Sequence, residues 1–230
     1  MRSVAEKRAS IQSGELILQS RIVDASNATL IGEIEGIKVV YKPVAGERPL
    51  WDFPDGNLAS REVAAYLISE AMSIHRVPYT ILREGPFGLG MVQEWIDVDE
   101  ELDLITYAQS DDRQLRELAL FDAIINNTDR KIGHLLVDKS GFLFGCDHGV
   151  TFHEENKLRT VLWQWRGLPL NDVERKVLLD LRDSDLKSAL SELITASEID
   201  ALNNRIDQLV ETSVFPMPTG DWPAIPWPPV

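Results

Sequence analysis

The chain has 230 residues, a formal net charge of −14, 44% hydrophobic and 26% charged residues, which excludes wholesale disorder and allows one large domain or two lobes sharing a cleft. The acidic balance argues against a nucleic-acid-binding face and against a polybasic grip on membranes. No apolar run approaches the roughly 20 residues that cross a bilayer. Residues 1–14 lack a signal-like apolar stretch, and the single Cys146 can form no internal disulfide, so a cytoplasmic location is expected.

In chain order, residues 13–21 read as a short helical turn or lead-in. Strand-like runs follow at 21–25, 28–34 and 37–42, the last two joined by a tight Glu35-Gly36 hairpin. The Pro-, Gly- and Asp-rich stretch 43–57 is expected as loop. From Leu58, the spacing of Val63, Ala64, Leu67, Ile68 and Ala71 predicts a helix, with Asn57 or Ser60 as its cap. Short strands at 77–81, 87–91 and 91–96 complete a mixed sheet. Beyond 97–103 the chain turns helical. Residues 111–126 present one face made of Leu115, Leu118, Ala119, Asp122, Ala123 and Ile125, and a second helical tract covers 172–211. The last stretch, 215–230, holds Trp222, Trp227 and too many prolines for a helix. It reads as an extended tail packed by its aromatics, with recruitment of a protein partner as the second reading.

Chemistry concentrates between Asn127 and Gly149. A helix ends in the polar run Asn126-Asn127-Thr128-Asp129-Arg130-Lys131-Ile132-Gly133-His134. Two short apolar strands turned at 138–141 then lead to Asp147-His148-Gly149. Asp129 and Asp147 can thus converge at the mouth of one hairpin. Phosphoryl transfer uses such a pair, one carboxylate for the acceptor hydroxyl and one for the metal that bridges the phosphates.

This segment resembles the catalytic core of the phosphatidylinositol 3-/4-kinases, which carry D-R-x-x-x-N, a short hairpin and then D-x-G. Asp129-Arg130 matches the first pair and Asp147-His148-Gly149 the triplet, while His134 stands where those kinases have a metal-binding Asn. Val39-Val40-Tyr41-Lys42-Pro43 is similar to their lysine-bearing strand. The resemblance implies an α+β, two-lobed, protein-kinase-like or lipid-kinase-like fold. Its parts would be a strand-rich nucleotide-binding lobe (14–96), a helical catalytic lobe (97–214) and the tail (215–230).

The same resemblance implies ATP with Mg²⁺ or Mn²⁺, and a hydroxyl-bearing acceptor that could be a small molecule, a lipid or a protein. Lys42 would hold the phosphates and Glu62 would fix Lys42. Ser26 and Asn27 would cover the phosphates, and the backbone at Glu94, Trp95 and Ile96 would meet the adenine. Asp129 would position the acceptor, Arg130 or Lys131 would offset developing charge, and His134 with Asp147 would bind metal. After the triplet only Lys157 and Arg159 are offered as cations for a headgroup, beside Glu154 and Glu155. The alternatives are a nucleotide-binding pseudokinase or interaction module without turnover, and a kinase-fold enzyme that transfers AMP.

Overall fold

The computed structural model describes residues 2–22 and 27–230. The chain opens with helix α1 (Val4–Ser13), started by a reciprocal cap in which the Ser3 hydroxyl accepts the Glu6 N–H and the Glu6 carboxylate accepts the Ser3 N–H. No apolar stripe announces this helix, because Ile11 is its one buried residue. The stretch 13–21 is therefore not a helical lead-in; it is the end of α1 followed by strand β1 (Ile17–Arg21).

Strands β2 (Leu30–Ile34), β3 (Ile37–Pro43), β4 (Thr80–Gly85) and β5 (Gly88–Glu94) join β1 in a five-stranded sheet of order β1-β2-β3-β5-β4. Every neighbouring pair is antiparallel, so the expected mixed sheet is corrected. Short hairpin links, which only antiparallel neighbours can use, join β2 to β3 and β4 to β5. At the first, Glu35 and Gly36 both take positive φ (49° and 82°), the two-residue turn that suits right-twisted strands.

Period-two alternation in β3 decides what the sheet offers to each side. Ile37, Val39 and Tyr41 pack with Ile11, Ile34 and Val92 beneath α1, which turns Lys38, Val40 and Lys42 toward the opposite face. Gly90 permits the pairing that holds this strand in place: a Cβ there would stand 2.6 Å from the Lys42 carbonyl oxygen and 2.5 Å from the Tyr41 ring.

Helix α2 (Leu58–Ala71) is capped by Asn57, whose side chain accepts the Ser60 N–H at 2.7 Å. It packs Ala59 and Val63 against Met91 of the sheet and puts Ala64 and Ile68 into the larger core. That core is completed by α3 (Leu104–Ala108), α4 (Arg113–Ile125), α5 (Asp172–Arg182), α6 (Leu186–Leu190) and α7 (Ala196–Thr212), through side chains such as Leu118, Phe121, Leu178, Leu202 and Ile206. The tract expected at 172–211 is three helices, because Asp185 and Thr195 accept the N–H groups of Ser188 and Glu198 and so restart the chain as new helices.

Between α4 and α5 lies the hairpin of β6 (Leu135–Val137) and β7 (Leu143–Gly145), closed by the Asp138 carboxylate accepting from the Ser140 and Phe142 N–H groups. The residues after Phe215 form no helix. They return along the chain so that the Ala224 carbonyl accepts from Thr160 N–H and Trp163 Nε1–H, and the Pro229 carbonyl accepts from Ile132 N–H at 2.8 Å. Among the described residues, no helix is long and apolar enough to cross a membrane.

Candidate active site

A cleft of about 1250 Å³ lies between the Lys38–Val40–Lys42 face of β3, the connection after β5 and the β6–β7 hairpin. A second compartment of about 460 Å³ shares Thr29, Lys42, His134 and Asp147 with it, and continues to Asp129, Lys131 and Arg159. Lys42 stands at the junction. Its ammonium donates to Glu62 Oε1 at 2.6 Å and to Asp147 Oδ1 at 2.7 Å. Burial opposes the lysine's charge, but the carboxylates of Asp147 and Glu62 outweigh it and keep the group protonated well above the ordinary lysine range.

Glu62 is buried on α2 and held from two sides, since its second oxygen accepts the His148 N–H at 2.9 Å. Asp147 follows β7 with φ of 59°, a left-handed conformation that Asp tolerates better than most residues. Its side chain keeps 53% of its surface open. Lys42 first, and His134 as well, hold its carboxyl far below the usual carboxylate range. His134 Nε2 stands 3.5 Å from Asp147 Oδ2, and burial lowers the imidazole's pKa, so it is neutral near pH 7. Cys146, beside them, has its thiol pushed up to about 12, chiefly by burial, which removes it as a nucleophile.

The loop after α4 is organised from beneath. Asn126 ends the helix in the left-handed region, and its side chain holds the later segment by donating to the His153 and Glu155 carbonyls and accepting the Lys157 N–H. Asn127 donates to Asp122 Oδ1 and accepts the Asp129 N–H, which fixes the backbone of Asp129. The Asp129 carboxylate pairs with Lys131 at 3.1 Å in the second compartment.

Arg130 corrects the expectation that it faces the reaction. It is fully buried, donates from Nε and Nη2 to Asp122, from Nη1 to the Cys146 carbonyl, and from Nη2 to His148 Nε2 at 2.7 Å. A guanidinium can only donate, so His148 Nε2 accepts and Nδ1 carries the ring proton. Arg130 thus ties the loop to β7 and the triplet, which leaves Lys131 as the cation of the pair in the cleft. The helix-face pattern by itself gives Asp122 no role in the site; its carboxylate on an apolar stripe is the sequence signal that a buried cation must meet it.

The remaining expectations are only partly met by geometry. Ser26 lies outside the described residues. Asn27 lines the second compartment, with its side-chain oxygen accepting the Arg48 N–H at 2.8 Å. Glu94, Trp95 and Ile96 all line the large cleft. The N–H groups of Glu94 and Trp95 are already donated to the Tyr79 and Lys38 carbonyls, whereas Ile96 N–H has no acceptor among the described residues. The Glu94 carboxylate pairs with Lys7, and the Lys38 ammonium lies 3.6 Å from the centre of the Trp95 ring. Lys157 is buried against Asp52 and Glu155 and faces the Trp222 ring, so it offers no free charge to a substrate.

Comparison with protein-family models matches none of them. The chain is 41% identical over 265 aligned positions to Protein Rv2133c of Mycobacterium tuberculosis, an alignment that covers 97% of this chain and 95% of that one. The chain belongs to the family of Protein Rv2133c. Solved structures similar to this family member include the Golgi casein kinase with Mn/ADP bound, with a TM-score of 0.61 at 12% identity, covering 90% of this chain and 74% of that one. Hydra Fam20 with sugar gives 0.61 at 14% identity (93% and 90% covered), and the Helicobacter pylori proinflammatory kinase CtkA gives 0.55 at 11% (89% and 94%). At these identities the likeness is one of fold: the chain has an α+β, kinase-like fold. None of these neighbours is a phosphatidylinositol kinase, so the expected kinship narrows to the kinase-like fold.

Proposed function

We propose that this protein is an ATP-dependent phosphotransferase that moves the γ-phosphoryl group to a hydroxyl acceptor. The strand-rich lobe at 14–96 would bind the nucleotide, the helical lobe at 97–214 would carry the catalytic loop, and the tail at 215–230 would brace that loop. The observation that carries the reading is the Lys42 ammonium held between Glu62 and Asp147 where two compartments meet, with Asp129 in the second.

The donors fit a divalent ion. Asp147 is half open, His134 Nε2 stands beside it, and among the described residues no group of three or more His, Cys, Asp or Glu side chains would make an all-protein cage. Such a pair suits an ion that takes its other ligands from phosphate oxygens and water. When bound there, Mg²⁺ or Mn²⁺ neutralises charge on the phosphates. Lys42 orients the nucleotide phosphates, and Glu62 keeps Lys42 extended into the cleft. Ile96 N–H is the backbone donor left for the adenine edge. Asp129 orients the acceptor hydroxyl and takes its proton as the new O–P bond forms and the β–γ bridging P–O bond breaks, giving ADP and a phosphate ester. Lys131 offsets the negative charge that gathers beside Asp129.

A second reading, nucleotide binding without turnover, is favoured by one observation: the Asp129 carboxylate is already engaged by Lys131. The test is a thermal-shift titration with ATP and Mg²⁺ or Mn²⁺, together with mass spectrometry of products formed in cell extract. Stabilisation by millimolar ATP–metal is expected. Asp129→Asn should keep that stabilisation and lose several orders of magnitude in ATP consumption. No stabilisation with either metal would sink both readings, and stabilisation with no ATP consumption by wild type, unchanged in Asp129→Asn, would select binding alone. Release of pyrophosphate with an AMP-bearing product would reassign the transferred group.

A further inference from the structure

The second compartment contains an imbalance that phosphate binding in the main cleft does not address. Its carboxylates are all engaged. Glu47 accepts the Leu58 and Ala59 N–H groups, Asp52 pairs with Lys157, Glu62 and Asp147 share Lys42, and Asp129 pairs with Lys131. Arg159 also lines this compartment, and among the described residues its guanidinium makes no hydrogen bond or ion pair. The side chain is half-buried and its Nε–H is shielded from solvent without an acceptor. Leaving such a group unmatched is unfavourable, and an anion in the compartment would relieve it.

The backbone ties Arg159 to the catalytic loop. Arg159 N–H donates to the Asn127 carbonyl at 2.9 Å and its carbonyl accepts the Arg130 N–H at 3.1 Å, so the cation is anchored on both flanks of Asp129. A volume of about 460 Å³ suits a small molecule. We infer that the acceptor is a small hydroxyl compound already bearing a phosphate or carboxylate, and that Arg159 holds this anion while Asp129 faces the hydroxyl. This rests on the phosphotransferase reading and names its substrate class. The transfer itself is the one written above: the acceptor's O–P bond forms, its proton passes to Asp129, and ADP leaves.

The experiment is isothermal titration calorimetry of the protein saturated with Mn²⁺ and a non-hydrolysable ATP analogue, with glycerol 3-phosphate, glycerate and neutral glycerol as probes. Millimolar binding of the two anions, and none of glycerol, is expected. Arg159→Gln should weaken anion binding about 10- to 100-fold, as loss of a charge-assisted contact does, while affinity for the ATP analogue is unchanged; Arg159→Lys should recover part of the loss. Glycerol binding as well as its phosphate, anion affinity indifferent to Arg159→Gln, or an equal loss of ATP-analogue affinity would overturn the assignment. So would binding confined to an acidic peptide or to vesicles containing anionic lipid, which would give the guanidinium a macromolecular partner. Failure to bind the ATP analogue at all would overturn the phosphotransferase reading along with it, which separates the two failures.

Discussion

Replacing Arg130 tests whether this residue works in the fold or in the chemistry. Arg130→Met removes a guanidinium that is wholly buried, and strands the equally buried Asp122 carboxylate that three of its contacts serve. It also deprives the Cys146 carbonyl and His148 Nε2 of a donor. Breaking one half of a buried ion pair costs about 3–5 kcal/mol, because the remaining charge stays desolvated. For a chain of this length each kcal/mol moves the melting temperature by about 2–4 °C, so a fall of roughly 6–20 °C is expected. Arg130→Lys should also lose stability, since a point-like ammonium cannot serve Asp122, the carbonyl and the imidazole at once. The double variant Asp122→Leu/Arg130→Met should be more stable than the sum of its single changes by over about 1 kcal/mol. Thermal and urea unfolding read all three. A melting point within about 2 °C of wild type, combined with lost ATP consumption, would refute the structural assignment and return Arg130 to the reaction.

Three further outcomes are expected. His134→Asn exchanges an imidazole for an amide oxygen, so the Mn²⁺ preference in ATP-dependent thermal stabilisation should shift toward Mg²⁺; an unchanged ratio would remove His134 from the metal site. Burial, then the neighbouring Arg130, holds His148 neutral well below the ordinary imidazole range, and burial lowers His134 too. The unfolded chain therefore binds more protons as the pH falls through its own imidazole pKa, and stability should fall on acidification through about pH 6.5 by about 1 to 3 kcal/mol per pH unit, measured by urea unfolding at pH 5.5–7.5; a flat profile would contradict the two buried neutral rings. Removing residues 221–230 takes away the Ala224 and Pro229 carbonyls that receive Thr160, Trp163 and Ile132 donors. About 2–4 kcal/mol should be lost and amide exchange at 130–134 should quicken; unchanged protection at Ile132 would show that the tail does not brace the loop.

What the sequence determined by itself is what local physics controls. The cap Asn57, the apolar spacing of α2 and α4, the Glu35-Gly36 turn and the short hairpin before Asp147 all depend on residues within a few positions of one another. Those signals placed the Lys42 strand, the Asp129 loop and the Asp147 triplet in a legible order. Helix α1 escaped because its cap was readable but its stripe was absent: it holds to the fold through Ile11 and through Arg83, which donates to the Ile11 and Gly14 carbonyls from 69 to 72 residues away. The tertiary structure alone decided which charges face the cleft. Arg130 and Lys131 are adjacent in sequence, yet one is buried against Asp122 and the other reaches Asp129, because the apolar face of α4 carries a carboxylate that must be matched. Lys157 and Arg159 are likewise two residues apart, and only the fold separates a lysine neutralised by Asp52 from an arginine that, among the described residues, has no partner for its guanidinium. Charge pairing is settled by desolvation at long sequence separation, and no local spacing encodes it.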